Sequence, residues 1–236
     1  MVTKCRRCYS ETRPPVSRIH YLAAKVSSTG REEPMSKKID LYSSSYSNYS
    51  LETYSEVRLE TYGEDYGQTS WVSTEESHEI PELLQLISDS SVLDIGCGSG
   101  GYAVGLAKRI GCRVVGFEIN ESGVKTANAL AEDEKVSALV KFEQHDASEE
   151  LPYEDNSFDA IYSTDVLCHV PRRREVLSNT QRLLKPGGKF VFSDALVIGG
   201  LISYEELENR CPDGLYFFSP PRRQRAINTG IRPQAA

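Results

Sequence analysis

Residues 91–101, Ser-Val-Leu-Asp-Ile-Gly-Cys-Gly-Ser-Gly-Gly, constrain this chain more than any other stretch. A short apolar run reaches Asp94, then meets a glycine-rich turn that opens a predicted helix near 102–110. Gly96, Gly98 and Gly100 free the backbone to turn sharply and to approach a ligand that a Cβ would keep away. A strand–turn–helix unit of this kind offers free N–H groups and a helix N-terminus to a nucleotide-like molecule. Spacing alone leaves the ligand open. Gly96, Gly98 and Gly101 also satisfy G-x-G-x-x-G, the dinucleotide pattern, and a turn serving only tight packing has the same glycines.

Asp94 discriminates between these readings. A carboxylate at the strand end repels a pyrophosphate and suits a ligand carrying an ammonium group. S-adenosylmethionine carries an ammonium and a sulfonium, and no phosphate. Beyond Gly101, strands predicted at 91–95, 113–118, 139–144, 158–163 and 188–193 alternate with helices near 102–110, 121–131 and 173–184. That alternation implies βαβ units and a parallel sheet. Asn120 or Ser122 caps the second helix, and Pro186-Gly187-Gly188 ends the last. Upstream, Ile80, Leu83, Leu84 and Ile87 recur at helical spacing behind Glu75 and Glu76, which predicts a helix over 74–87 with Pro81 as an obstacle to an uninterrupted run.

Val92-Leu-Asp-Ile-Gly-Cys-Gly-Ser-Gly100 resembles motif I of the class I S-adenosylmethionine-dependent methyltransferases. The likeness continues through Val115-Gly-Phe-Glu-Ile119, His145-Asp-Ala147, Leu151–Asp159 and Leu184-Lys-Pro-Gly-Gly188, over roughly residues 62–220. It implies a Rossmann-like, mostly parallel sheet flanked by helices, with S-adenosylmethionine at the carboxyl ends of the first strands. On this resemblance Asp94 stabilises the methionine ammonium, with the backbone of Gly96 and Ser163 completing that end. Glu118, 18 residues after Gly100, accepts from the ribose hydroxyls. Ile119 lies against the adenine, Asp146 accepts from its amino group, the Ala147 N–H reaches a ring nitrogen, and Asp165 lines the donor pocket. A solvated loop acid is the other reading of Glu118 and Asp146.

On the acceptor side, Tyr162-Ser-Thr-Asp-Val-Leu-Cys-His169 is similar to phosphoethanolamine and related small-amine methyltransferases. There the matching His is catalytic together with a lid Tyr. Tyr62-Gly-Glu-Asp-Tyr66 resembles their lid segment, and counting back from it places the partner near Tyr49, so His169 and Tyr49 are the expected catalytic pair. The alternative is a His169 that only packs under the lid. Thr164 stands where those enzymes present an Arg that grips a phosphate, and Arg172, Arg173 and Arg174 read as a solvated basic start to a helix. The expected partner is therefore a small-molecule methyl acceptor with an N, O or C nucleophile, uncharged or cationic, an amine being one that tyrosine faces hold by cation–π contact.

A net charge of −7 and a pI near 5.3 argue against a nucleic-acid partner held through its phosphates. No apolar run approaches the roughly 20 residues that span a bilayer, so no membrane partner is expected. Cys5 and Cys8 lack a second pair at zinc-ligand spacing, so no metal is expected. Cys97, Cys112 and Cys168 fall in predicted core or site elements and read as reduced thiols, which favours a cytoplasmic setting. Residues 1–34 form a basic leader of seven cations and three acids, read as a disordered tail, translated sequence upstream of a start at Met35, or an organellar transit peptide. Residues 35–73 read as a Tyr- and Ser-rich lid segment, 74–220 as the methyltransferase domain and 221–236 as a disordered tail. The residues after 193 show no convincing strand pattern. The expectation is a sheet lacking its carboxyl-terminal antiparallel strands, which keeps open a truncated or binding-only protein of the same fold.

Overall fold

A computed structural model describes residues 41–65, 70 and 72–194. The leader over 1–34, the expected absence of later strands and the tail at 221–236 all lie outside the described residues. Three helices come first: α1 (Leu41–Ser47), α2 (Glu52–Tyr62) and α3 (Thr74–Leu84). Then follow β1 (Ser91–Ile95), α4 (Gly101–Ile110), β2 (Arg113–Glu118), α5 (Glu121–Asp133), β3 (Val140–Gln144), β4 (Phe158–Thr164), a 3-10 turn at Leu167–His169, α6 (Arg173–Leu183) and β5 (Leu184–Ser193).

The five strands form one sheet in the order β3-β2-β1-β4-β5, every pairing parallel. This is the parallel sheet that the alternation predicted, in the Rossmann-like form that the resemblance implied. Side chains alternate across β1: Val92 joins the layer of Leu106, Val114 and Phe142, while Leu93 and Ile95 join that of Ile161, Val176 and Leu183. Both faces are covered, so the strands read as nearly unbroken apolar runs. Each fully buried Leu or Ile contributes about 1.5–3 kcal/mol relative to exposure. The chain reverses its direction of winding between β1 and β4, and their carboxyl ends open the crevice where such sheets take ligands.

Two local expectations change. Strand β5 begins at Leu184 rather than 188, because the pairing jumps from Phe158–Leu184 to Ala160–Lys189 and the Pro-Gly-Gly run is absorbed in the irregularity. Lys185 Nζ bonds Asp159 Oδ1 at 2.8 Å beside it. Helix α3 ends at Leu84, where Gln85 turns left-handed at φ 57°. Ser73 caps its start: its Oγ accepts from Glu76 N at 3.2 Å, and Glu76 Oε2 accepts from Ser73 N at 2.9 Å. Pro81 sits inside the helix because the carbonyl it leaves without an amide partner has another donor. Tyr102 Oη donates to Ser77 O at 2.5 Å.

Candidate functional site

The sheet's carboxyl edge brings the sequence-predicted donor residues together. Gly96, Gly98 and Gly100 all have positive φ, 74°, 54° and 76°. A Cβ on Gly100 would stand 2.6 Å from Ala127 Cβ, so α5 presses directly on the loop. Ser163, next to last in β4, donates Oγ to Ile95 O at 3.0 Å, tying the two strands at this edge. Glu118 closes β2 with its carboxylate turned under the loop: Oε2 accepts from Gly98 N at 3.2 Å and Oε1 from Asn120 N at 3.0 Å. Asn120 in turn caps α5, accepting from Ser122 N at 2.9 Å and Gly123 N at 3.3 Å.

Asp94 is buried at the end of β1, 4% exposed. Tyr162, its register neighbour on β4, donates Oη to Asp94 Oδ2 at 2.8 Å. Burial pushes the Asp94 carboxyl up to about 7; the Tyr162 hydrogen bond opposes that rise and the Glu118 charge adds to it. Ile119 turns a large apolar side chain outward with 63% of its surface exposed. Asp146 folds back into a turn, Oδ1 accepting from both Ser148 N and Ser148 Oγ at 2.8 Å, and Ala147 is buried beside it. Ser99 Oγ is buried with no hydrogen-bond partner. A buried carboxylate, a second carboxylate on the next strand and an exposed apolar shelf beside it fit a ligand with an ammonium, a ribose and a flat ring.

Helix α1 lies across this edge. Tyr42 Oη stands 3.3 Å from His169 Nε2, its ring edge-on to the imidazole at 5.6 Å. Tyr46 stacks on Tyr42 at 5.7 Å. Asn120 Nδ2 donates to Ser43 Oγ at 3.0 Å, joining the lid to the cap of α5. Gly123 makes the approach possible: a Cβ there would meet Gly98 O at 2.9 Å, Tyr46 Cδ2 at 3.0 Å and Glu118 Cγ at 3.1 Å.

Among the described residues, the tyrosine hydrogen-bonded to His169 is Tyr42. Tyr49 is 5% exposed, with the Arg58 guanidinium 4.3 Å above its ring. Burial pushes its phenol up to about 12, and it feels the charge of Glu134, past the opposite end of α5 from Asn120. Arg58 is itself fixed by Asp65, Nε to Oδ1 at 2.7 Å and Nη2 to Oδ2 at 3.1 Å, while Ser55 Oγ donates to Oδ2 at 2.6 Å. Counting back from the motif points to Tyr49, whereas the described hydrogen bond to His169 comes from Tyr42 on α1.

Beside His169 the mouth carries more than the sequence disclosed. Asp165 holds a left-handed backbone at φ 54° and donates its N–H to Ser193 O at 2.9 Å. Its charge, after burial, helps raise the Tyr62 phenol. Asp194 accepts from Cys168 N at 3.1 Å, and burial pushes it up to about 7, with Asp165 adding to the rise and Arg173 opposing it. Arg173 is not a solvated helix-start cation: it is 5% exposed and donates Nε to Leu167 O at 2.9 Å. Only its neighbours Arg172 and Arg174 are exposed. No local spacing distinguishes the inward arginine of such a run.

A Rossmann-like sheet with an acid at the tip of β1, another at the tip of β2 and a glycine loop between is an α/β arrangement whose carboxyl edge suits a nucleoside-like ligand. Comparison with known proteins narrows the class. Residues 93–192 match the model of a family described as a methyltransferase domain. The chain is 38% identical over 133 residues to a sterol 24-C-methyltransferase of Gibberella zeae, covering 56% of this chain and 34% of that protein. It is also 38% identical over 112 residues to a sarcosine/dimethylglycine N-methyltransferase of Halorhodospira halochloris, covering 48% and 40%. The chain thus spans well under half the length of either relative. Among solved structures, the phosphoethanolamine N-methyltransferase 2 of Haemonchus contortus superposes with a TM-score of 0.65 at 24% identity, over 78% of this chain and 43% of that one, a likeness of fold. Among the described residues, no helix is long and apolar enough to cross a membrane.

Proposed function

We propose that this chain moves the methyl group of S-adenosylmethionine to a small-molecule nucleophile, and that the acceptor atom is an amine nitrogen. When bound, the sulfonium supplies an electrophilic methyl carbon and departs as a neutral thioether. What remains for the protein is to hold both partners aligned and dry and to manage the acceptor's proton. Asp94 receives the donor's ammonium, Glu118 its ribose, Ile119 one face of its adenine, and Asp146 with the Ala147 N–H the ring's edge. Gly96, Gly98, Gly100 and Ser163 shape the loop around the methionine end, and Asp165 lines the passage to the acceptor.

The observation that carries the acceptor side is the 3.3 Å approach of Tyr42 Oη to His169 Nε2 over the carboxyl edge of the sheet. An amine attacks only as its free base, so a proton acceptor within reach is useful. His169 fills that role and Tyr42 orients its ring while covering the mouth. The aromatic faces of Tyr42 and Tyr46, together with Asp165 and Asp194, favour an acceptor that arrives as a cation. The test is transfer of radiolabelled methyl from S-adenosylmethionine across a panel of amines, alcohols, phosphobases and sterols. Amines are expected to be methylated first. His169→Ala is expected to lower turnover on the preferred acceptor about 10²–10⁴-fold with donor affinity unchanged. Transfer to sterols or phosphobases alone, or full turnover in that variant, would refute this reading.

A further inference from the structure

We infer that Tyr162 is a positioning residue for the donor: from β4 its phenol donates to Asp94 Oδ2 and keeps that carboxylate ionised and oriented, so that donor capture and proton release from Asp94 are one coupled event. The inference rests on the proposed placement of the donor's ammonium at Asp94. Asp94 and Tyr162 are direct register partners on adjacent parallel strands, and both side chains are buried. The hydroxyl of Tyr162 reaches Asp94 Oδ2 at 2.8 Å. Tyr102, on α4, packs its ring edge-on to Tyr162 at 5.5 Å and 85°, which fixes the direction of the Tyr162 phenol. Tyr102's own hydroxyl is committed to Ser77 O, the carbonyl that Pro81 releases inside α3.

The charged and titratable groups around the pair come from β2, the glycine loop and α4. Glu118 on β2 and Cys97 in the loop share the electrostatics of Asp94, as does Tyr102, with Arg109 beside it on α4. Burial and the Glu118 charge both push the Asp94 proton on, while the Tyr162 hydrogen bond pulls it off. An arriving ammonium favours the ionised form, so binding expels whatever proton remains. Without the Tyr162 hydroxyl, the protonated and ammonium-blind form persists to higher pH. Phenylalanine at 162 keeps the ring and its contact with Tyr102, and removes only the donor hydroxyl.

Calorimetric titration of the full chain with S-adenosylhomocysteine from pH 5.5 to 8.5 tests this, comparing the wild type with Tyr162→Phe and Asp94→Asn. Wild-type affinity should climb with pH to a plateau, with proton release visible when buffers of different ionisation enthalpy are compared. In Tyr162→Phe the climb should move to higher pH. The deficit should be about tenfold at neutral pH for each unit of displacement, shrinking toward pH 8.5. A loss by one constant factor at every pH, or no loss, would overturn the inference. Asp94→Asn separates the two layers. If it binds as tightly as the wild type throughout, the placement of the ammonium at Asp94 fails and the role of Tyr162 with it. If it binds weakly and without pH dependence while Tyr162→Phe tracks the wild type, only the role of Tyr162 fails. Should Tyr162→Phe not fold, carbon-13 NMR of the aspartate carboxyls, read against the wild type, decides. There 3-fluorotyrosine at 162 keeps the ring and strengthens its donor: a lowered Asp94 midpoint supports the inference, and an unchanged one overturns it.

Discussion

At the strand edge, Asp94, Glu118 and Ser163 are held by β1, β2 and β4, whose Leu93, Ile95, Phe117 and Ile161 are almost wholly buried. In the lid, α2 exposes Leu51 at its start and Val57 and Leu59 along its length, and its one buried side chain is Arg58. The first region owes its geometry to dense apolar packing on both faces of a sheet. The second owes it to a few directional contacts around one guanidinium, which stacks on Tyr49 and forks onto Asp65. Packing of the first kind holds a donor site in place whether or not anything is bound. A polar clasp of the second kind can open locally at modest cost, which suits a cover over a site that must admit an acceptor.

Four substitutions sharpen or break that contrast. Glu118→Ala, at the packed edge, should cost donor affinity about 2–4 kcal/mol through lost charge-assisted hydrogen bonds; titration calorimetry with S-adenosylhomocysteine measures it. Asp94→Asn should instead stabilise the fold. An unfolded aspartate sheds its proton near 3.8, whereas the folded chain holds it to about 7. The folded state binds more protons across that window, so its stability falls as pH rises through it. Melting of Asp94→Asn should exceed that of the wild type by about 1–3 kcal/mol at pH 7.5, with the gap closing toward pH 4.

Arg58→Met addresses the clasp. Amide exchange over residues 41–65 should quicken by about 1–2 kcal/mol of opening free energy, while β1, β2 and β4 keep their protection. Equal quickening in the sheet would mean that lid and sheet open as one unit. Tyr42→Phe is the mildest change. It should lower turnover by less than about tenfold and leave donor affinity untouched; an equal loss in Tyr49→Phe would return the catalytic role to the clasp.

The sheet was readable because its signals are local. Apolar runs ending in Asp94 and Glu118, and an Asn at 120 before a helical stretch, specify strand tips and a cap within a few residues of chain. The start of β5 was misjudged because Pro186-Gly187-Gly188 reads as a helix stop, although Leu184 already pairs with Phe158. The acceptor side depends on partners far apart in sequence: Tyr42 and His169 are 127 residues apart. Which of many tyrosines meets His169 is decided by the path of α1 over α5. Likewise nothing local marks Arg173 as buried between two exposed arginines. Pro81 illustrates the same limit from the other side, since a helix-breaking residue is tolerated only because Tyr102, from another helix, takes up the orphaned carbonyl.

Gly123 has a consequence for how the molecule can vary. The motif loop, the β2 carboxylate stem and the Tyr46 ring all converge on the α-hydrogen that a side chain would replace, each close to 3 Å from where a methyl would sit. A wedge at that point would displace the glycine loop, the tip of β2 and helix α1 at once. Selection for a roomier mouth must therefore proceed through the lid's other residues and leave this pinch point alone.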